Sequence, residues 1–312
     1  MDGILIVKKE KGYTSHDVVA KVKKITKTKV GHTGTLDPMA TGVLPLLLGE
    51  GTKLSKYLIE HDKVYEATIQ LGEKTDTADS EGQVIEEKEV NINLFNNENI
   101  EKVFESLKGK QIQTPPIYSA IKVKGKKLYE YARNNETVKI PNREIEIYEM
   151  QLIKCDLEER TIDFKVHCSK GTYIRSLCET IAEKLDTVGY MKELNRTKVG
   201  KFDIEQAVTI EEIEKSILDE ILQKDCETEI NKKGIKIDFW KKHLITIEEI
   251  FQTNPSITLS EQKLVLLLNG VQLTRKEENG VYRVYEENGR FIGIGIIENH
   301  LLKRDIIITR PN

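Results

Sequence analysis

Apolar and polar residues alternate with two different periods along this chain, and these periods predict its main elements. Residues 4–7 form a short apolar run typical of a strand, and Ser15 then opens a predicted helix with apolar positions every three or four residues. Strand-like alternation returns in residues 64–71 and 162–168. Helical spacing follows from 174 to 185. The pattern predicts a mixed α/β protein.

The pattern changes after Ala207. Residues 224–243 are rich in charge and are interpreted as a linker or insertion. A capped helix is predicted from Ser260 to Gly270. Two apolar runs, 281–285 and 290–297, flank Glu-Asn-Gly and predict a hairpin, and residues 305–309 predict a last strand. A small second unit, rich in strands, is therefore expected at the C-terminal end.

Residues 31–45, GHTGTLDPMATGVLP, contain three glycines and two prolines, and this density predicts a loop. Within it Asp37 precedes Pro38, which favours an extended backbone, and the glycines let another chain approach closely. A carboxylate presented in this way can act as a nucleophile or a base, and a nearby cation would hold it ionised. An ordinary turn is the alternative interpretation.

Three other side chains are candidates for a site. Arg175 lies in the first turn of its helix, where its charge opposes the helix dipole, so an anionic partner or free solvation is expected. Tyr65 lies at the end of a buried strand face and its hydroxyl needs a partner, whether the ring packs in the core or stacks on a base. His32 is either a solvated loop residue or fills the space that a displaced base leaves.

Composition narrows the class of protein. With 312 residues, 38% hydrophobic and 32% charged, the chain can bury a core, and no apolar run approaches a membrane span or a signal sequence. Its four cysteines have no CxxC or metal-ligand spacing, which indicates ordinary thiols in a reducing compartment. We therefore expect a cytoplasmic protein.

Charge is distributed unevenly although the net charge is only −3. Residues 8–29 contain eight lysines and two acidic residues, whereas residues 73–101 are acid-rich. The basic segment could meet phosphates or form the solvated face of a helix. No dinucleotide-binding glycine motif or metal-spaced ligand set is present, so neither a cofactor nor a metal is expected. The TDTAD segment at 75–79 is interpreted as a turn near the site rather than a cation loop.

The loop at 31–45 resembles the catalytic loop of the TruB family of pseudouridine synthases almost residue for residue. Further blocks resemble the family in the same order: KGYTSHDVV, KVYEATIQLGEKTDTADSEG, TPPIYSAIKVKGKKLYEYAR, SKGTYIRSLCETIAEKL and LNRTKVGKF. Five ordered blocks, covering about residues 1–210, identify the chain as a member of this family.

The resemblance implies the role of each candidate residue. Asp37 would attack the target uridine, Arg175 would hold that carboxylate, and Tyr65 would stack on the flipped base and could take a proton. Leu194 would close the pocket, His32 would fill the position that the base leaves, and Lys9 would support the site. Gly34 and Thr35 belong to the catalytic loop and would also contact the substrate.

The resemblance also implies the architecture and the substrate. We expect an α+β fold with a mixed, largely antiparallel central sheet flanked by helices and loops. The expected division is a catalytic domain at 1–243 and a β-rich, PUA-like RNA-binding module at 244–312. The expected partner is the T-arm stem-loop of tRNA, bound by a monomer. Two alternatives stay open: a related synthase acting on another RNA, for example with a guide RNA, and an RNA-binding or RNA-folding protein on the same scaffold.

Overall fold

The computed structural model describes residues 1–134, 136–216 and 234–308. Its helices are α1 (Ser15–Thr26), α2 (Ser55–Leu58), α3 (Asn97–Ser106), α4 (Leu128–Arg133), α5 (Ile174–Lys184), α6 (residues 210–216), α7 (Gly234–His243), α8 (Ile247–Ile250) and α9 (Glu261–Leu268). Two 3₁₀ segments lie at Gly49–Leu54 and Ile204–Gln206.

The strands are β1 (Gly3–Lys9), β2 (Val30–His32), β3 (Thr41–Leu48), β4 (Lys63–Leu71), β5 (Glu73–Thr75), β6 (Val84–Glu87), β7 (Gly109–Gln113), β8 (Lys122–Val123), β9 (Lys126–Lys127), β10 (Arg143–Asp156), β11 (Thr161–Cys168), β12 (Gly189–Val199), β13 (Phe202–Asp203), β14 (Leu244–Thr246), β15 (Ser256–Leu259), β16 (Leu273–Thr274), β17 (Gly280–Glu286), β18 (Phe291–Glu298) and β19 (Leu301–Ile307).

A ten-stranded sheet forms the larger part of the fold, in the order β14-β1-β3-β12-β4-β11-β10-β7, with β2 beside β3 and β13 beside β12. Among its described pairs only β3 and β12 run parallel. This confirms the mixed, largely antiparallel central sheet. The parallel pair matters for the site, because it brings the start of β3, just after the Asp37 loop, beside β12.

A second sheet of five strands, in the order β15-β17-β18-β19-β16, forms the C-terminal unit. The unit has a core of its own and also packs against the first sheet: Ile294 and Ile306 share a cluster with Ile4 and Val43. Its Asp305 accepts a hydrogen bond from Tyr57 at 2.5 Å. The β-rich C-terminal module is thus confirmed. Just before it, β14 pairs with β1 of the first sheet.

Helices pack on the large sheet in two separate apolar clusters. Helices α3 and α5 pack on β4, β10, β11 and β12 around Phe104, Phe164 and Ile181, with alternate residues of each strand pointing into this core. Helix α1 packs Val18 and Val22 against β1 and β3. The helices predicted at 15–25 and 174–185 are confirmed, as are the strands at 4–7, 64–71 and 162–168.

Several predicted boundaries were wrong. The cap of α1 is Thr14, whose hydroxyl accepts from the Asp17 amide at 3.1 Å, because the Ser15 hydroxyl is turned inward to another partner. The irregular part of 31–45 is only 33–40, since Pro45 lies inside β3 opposite Ile6. Among the described residues, the edge of β3 away from β1 has no strand partner at Pro45, because β12 pairs only with 41–42 and β2 with 46–48. The missing N–H of Pro45 therefore removes no ladder bond on that edge.

At the C-terminal end, the last strand begins at Leu301, four residues earlier than expected, and residue 309 lies outside the described residues. The hairpin predicted around Glu-Asn-Gly is confirmed by the pairing of β17 with β18. Of the charged segment 224–243, residues 224–233 lie outside the described residues. Within the described ranges, no helix has both the length and the apolar character needed to cross a membrane.

Candidate active site

The loop at 33–40 is anchored to the protein on both sides of Asp37. Leu36, Met39 and Ala40 are buried, so the loop has a fixed inner face although it lacks regular structure. The buried Ser15 hydroxyl accepts from the Leu36 amide at 2.9 Å and donates to its carbonyl at 3.1 Å. These contacts hold the backbone next to the carboxylate, which is the preorganisation that a reacting group needs.

Lys9, the last residue of β1, holds the same loop by hydrogen bonds to its backbone carbonyls. Its fully buried ammonium donates to the carbonyls of Pro38 at 3.0 Å, Ala40 at 2.5 Å and Glu10 at 3.0 Å. Burial lowers the pKa of Lys9 to about 8, partly offset by nearby carboxylates. Lys9 therefore holds the loop through its backbone and does not touch the Asp37 carboxylate.

Arg175 meets Asp37 with two nitrogens. Its Nε lies 3.2 Å from Asp37 Oδ2 and its Nη2 lies 3.4 Å from Oδ1, so the guanidinium contacts both carboxylate oxygens. The arginine side chain is 6% exposed and the aspartate side chain 34% exposed, so the carboxylate remains open to a substrate while its partner is buried. The anionic partner expected for Arg175 is this carboxylate, together with a second one.

The second carboxylate is Asp79, which lies 3.3 Å from Arg175 Nη1 and is 5% exposed. Thr77 holds it in place, with its hydroxyl donating to Asp79 Oδ1 at 2.6 Å. Arg175 also donates to the carbonyls of Thr77 at 3.2 Å and Tyr118 at 2.9 Å. The 75–79 segment is thus a turn that positions the arginine, and within the described residues no group of three His, Cys, Asp or Glu side chains is arranged to hold a metal.

Electrostatics at Asp37 differ from the expectation. Burial raises the pKa of Asp37, and Asp79 raises it further, while Arg175 and Lys9 lower it; the net direction is upward. The nearby cation was correctly expected, but it offsets the desolvation only in part. Ionisation of Asp37 therefore depends on Arg175.

Tyr65 and Leu194 enter the site from neighbouring strands. Tyr65 lies on β4 with its ring buried, and Leu194 lies on β12 opposite Ala67. Burial raises the pKa of Tyr65, whereas the guanidinium of Arg196 beside its hydroxyl lowers it. The structure thus brings an apolar surface and a phenol to the side of Asp37.

The other sequence candidates lie around the loop. His32 ends β2 and is half-buried, with Nδ1 buried and without a hydrogen-bond partner among the described residues. Burial lowers the pKa of His32, which favours a neutral imidazole at neutral pH. Gly34 is half-buried and its carbonyl accepts from Arg196 Nη2 at 3.1 Å, while Thr35 is exposed at the rim.

Sequence reasoning missed two side chains of this site, Asp79 and Arg196. The first was interpreted only as part of a turn, and the second lies in the LNRTKVGKF block without having been singled out. A signal existed for Arg196, because it lies two residues after Leu194 on a strand, which places both on one face. Asp79 had no local signal, since its contact with Arg175 joins residues far apart in the chain.

Comparisons with known proteins identify the family of this chain. Residues 22–174 match the model of the TruB family pseudouridylate synthase N-terminal domain, 175–232 match the tRNA pseudouridylate synthase B C-terminal domain, and 255–303 match pseudouridine synthase II TruB, C-terminal. A protein of Caldanaerobacter subterraneus named tRNA pseudouridine synthase B is 43% identical over 306 residues, which is 97% of this chain and 98% of that protein. The protein of the same name from Oceanobacillus iheyensis is 43% identical and covers 92% and 93%.

Solved structures show the same fold at lower identity. A chain of an archaeal box H/ACA sRNP Nop10-Cbf5 complex superposes with a TM-score of 0.66 at 22% identity, covering 98% of this chain and 86% of that one. A chain of an H/ACA RNP bound to a substrate RNA containing 2′-deoxyuridine also gives a TM-score of 0.66, at 21% identity and 99% and 85% coverage. With the identity to its bacterial relatives extending over nearly its whole length, this chain belongs to the TruB family of pseudouridine synthases.

Proposed function

We propose that this protein is a tRNA pseudouridine synthase, an isomerase that converts one uridine of the tRNA T-loop into pseudouridine. The observation that carries the proposal is the Asp37 carboxylate, contacted on both oxygens by Arg175 and mounted on an anchored loop. Relatives 43% identical over nearly the whole chain are named tRNA pseudouridine synthase B, which supports tRNA as the substrate.

The reaction rearranges bonds without oxidation or reduction. The N-glycosidic bond of the uridine breaks, the uracil turns, and the sugar C1′ bonds to C5 of the base. C5 then loses its proton and N1 gains one. Asp37 is the nucleophile that attacks the target nucleotide as a carboxylate, and it leaves again as a carboxylate before the product is complete, so Arg175 has to keep it ionised and aimed.

The other side chains have supporting roles in the proposal. The target base has to leave the RNA stack, and Tyr65 and Leu194 offer it a stacking surface and an apolar wall. Tyr65 is also the candidate for taking the C5 proton. His32 fills the position that the base leaves, Gly34 and Thr35 line its path, and Lys9 supports the loop.

Two basic surfaces support RNA binding. The exposed lysines of the first surface are Lys23 and Lys24 in the last turn of α1 and Lys27 just after it. They precede the Asp37 loop in the sequence. The β8–β9 hairpin carries further lysines, and Tyr118, a few residues before it, accepts from Arg175. Phosphate contacts of this kind supply affinity, so the substrate is expected to lie across both surfaces.

Further parts of the proposal concern the whole protein. We assign residues 1–243 to the catalytic domain and 244–312 to a PUA-like module that contacts the tRNA outside the T-loop. Since β14 belongs to the large sheet, residues 244–246 would act as the joint between the two. We also infer a monomer that works in the cytoplasm, where its tRNA substrate is found.

The test is to map pseudouridine after incubation with unmodified transcripts. One modified uridine is expected in full tRNA and in an isolated T-arm, and none in a T-arm whose target uridine is replaced by cytidine. Ribosomal RNA fragments are the control for substrate class. Modification of ribosomal RNA with no modification of tRNA would refute the substrate assignment.

A further inference from the structure

Arg196 lies on β12, between β4, which carries Tyr65, and β3, which follows the Asp37 loop. It is the register partner of Tyr65 across the β4–β12 pair and of Gly42 across the parallel β3–β12 pair. Its side chain is 1% exposed, which makes it one of the most deeply buried large side chains of the protein. A fully buried guanidinium is rare unless it has specific partners.

The partners of Arg196 lie at the two ends of the Asp37 loop. Its Nε donates to the Val43 carbonyl at 2.8 Å, and its Nη2 donates to the Gly34 carbonyl at 3.1 Å. The Val43 carbonyl lies in a stretch of β3 that has no second strand neighbour within the described part of the chain, so the arginine takes the place of a ladder bond. One side chain thus fastens the start and the end of the loop to the strand that faces Tyr65.

Among the described residues no ion pair includes Arg196, although a buried arginine usually has an anionic partner. Its hydrogen bonds to Val43 and Gly34 go to neutral carbonyls. The remaining group beside the guanidinium is the Tyr65 hydroxyl. Ionisation of Tyr65 would therefore give Arg196 an anionic partner.

We infer that Arg196 is a positioning residue for proton removal, which orients the Tyr65 oxygen and stabilises the phenolate that takes the proton from C5. This inference rests on the proposed function. In the step, the C5–H proton moves to the phenolate oxygen, the C5–H electron pair forms the C5=C6 double bond, and the C6=N1 electron pair moves to N1. N1 then takes a proton from water, and Tyr65 releases to solvent the proton that it took from C5, which restores the phenolate.

The groups around Tyr65 act on its pKa in opposite directions. Burial raises the pKa of Tyr65, and the Asp37 charge raises it as well. Cys168, on the neighbouring strand, has a pKa raised to about 12 by burial and is a neutral thiol at working pH. Arg196 is thus the group facing Tyr65 that favours the phenolate, and its removal makes proton abstraction slower than the earlier bond cleavage.

The test compares Arg196→Gln, Arg196→Lys and wild type in single-turnover reactions on a tRNA transcript, with uridine carrying either hydrogen or deuterium at C5. We expect Arg196→Gln to lower the rate about 100-fold and to show a larger C5 isotope effect than wild type. Arg196→Lys keeps the charge and should recover part of the rate. A purely structural role would slow every step and leave the isotope effect unchanged.

Two outcomes overturn the inference: an isotope effect equal to that of wild type in both variants, or equal rates for the lysine and glutamine variants. If Arg196→Gln does not fold, Arg196→Lys alone decides, because the inference still requires its isotope effect to exceed the wild-type value. Wild-type protein on the same transcript reports the proposed function separately. Its failure to make pseudouridine refutes that function, whereas normal wild-type turnover with unchanged isotope effects refutes only the role of Arg196.

Discussion

Replacing Arg175 by glutamine removes the cation that keeps Asp37 ionised. The charged atoms are 3.2 Å apart, and at an effective dielectric constant of about 20 such a pair interacts by about 5 kcal/mol. Because a third of the Asp37 side chain is exposed, solvent screens much of this, and an increase of about one to two pKa units is the realistic expectation.

The direction of the change in the pH–rate profile follows from the active form of Asp37, which is the ionised carboxylate. Burial already raises the pKa of Asp37, and activity is lost as the pH falls through that pKa because the protonated acid is no nucleophile. Without Arg175 the acidic limb of the pH–rate profile moves to higher pH by about one to two units. The rate near pH 7 falls by more than this shift, since the carboxylate also loses its orientation.

Single-turnover rates between about pH 5 and pH 9 measure both effects. Arg160→Gln is the matched control, as Arg160 is an exposed arginine on the turn between β10 and β11. An acidic limb that stays in place in Arg175→Gln would refute the ionisation argument. Because the change leaves Asp79 buried and unpaired, it should also cost about 3–5 kcal/mol of stability, and a melting curve has to show that the variant is folded at the assay temperature.

Three further substitutions test other contacts. Asp79→Asn loosens Arg175, so kcat should fall about 10- to 100-fold with little change in KM in steady-state assays; an equal rise in KM would contradict a positioning role. Lys9→Met leaves buried carbonyls without donors and should lower the free energy of unfolding by about 2–4 kcal/mol in urea titrations, whereas a loss below about 1 kcal/mol would contradict it. Gly42→Ala puts a Cβ 2.2 Å from the Arg196 carbonyl oxygen and should lower the free energy of unfolding by about 3 kcal/mol or more in the same titrations. Gly125→Ala is the control, because no atom lies within 4 Å of its Cβ, and it should lower the free energy of unfolding by about 1 kcal/mol.

Much of the fold could be predicted because its signals are local. The alternation on β4 and β11 and the helical spacing on α5 each arise within one element, where the period of buried positions directly reflects geometry. The predicted ends of elements were wrong where a tertiary contact determines the end. Ser15 looks like a helix cap in sequence, but its hydroxyl is turned to Leu36, so Thr14 is the cap.

The site residues also differ in whether a local sequence signal marks them. Asp37 and Arg175 carried local signals, namely a carboxylate in a glycine-rich loop and a cation in the first turn of a helix. Their pairing joins residues 138 positions apart, and only the resemblance to a family suggested it. Asp79 has no local mark of function, and the only local mark of Arg196 is its position two residues after Leu194 on the same strand. Their importance comes from which neighbours the sheet brings to them, and a residue pattern does not contain that information.

The most direct test of the central claim is to compare Asp37→Asn with wild type on the same tRNA transcript, measuring pseudouridine formation and RNA binding in parallel. Asparagine keeps the size and shape of the side chain but cannot act as a carboxylate nucleophile. We predict that turnover is abolished while the dissociation constant for the tRNA changes less than about tenfold, or about 1.4 kcal/mol. Pseudouridine formation by Asp37→Asn at the wild-type rate would contradict the account.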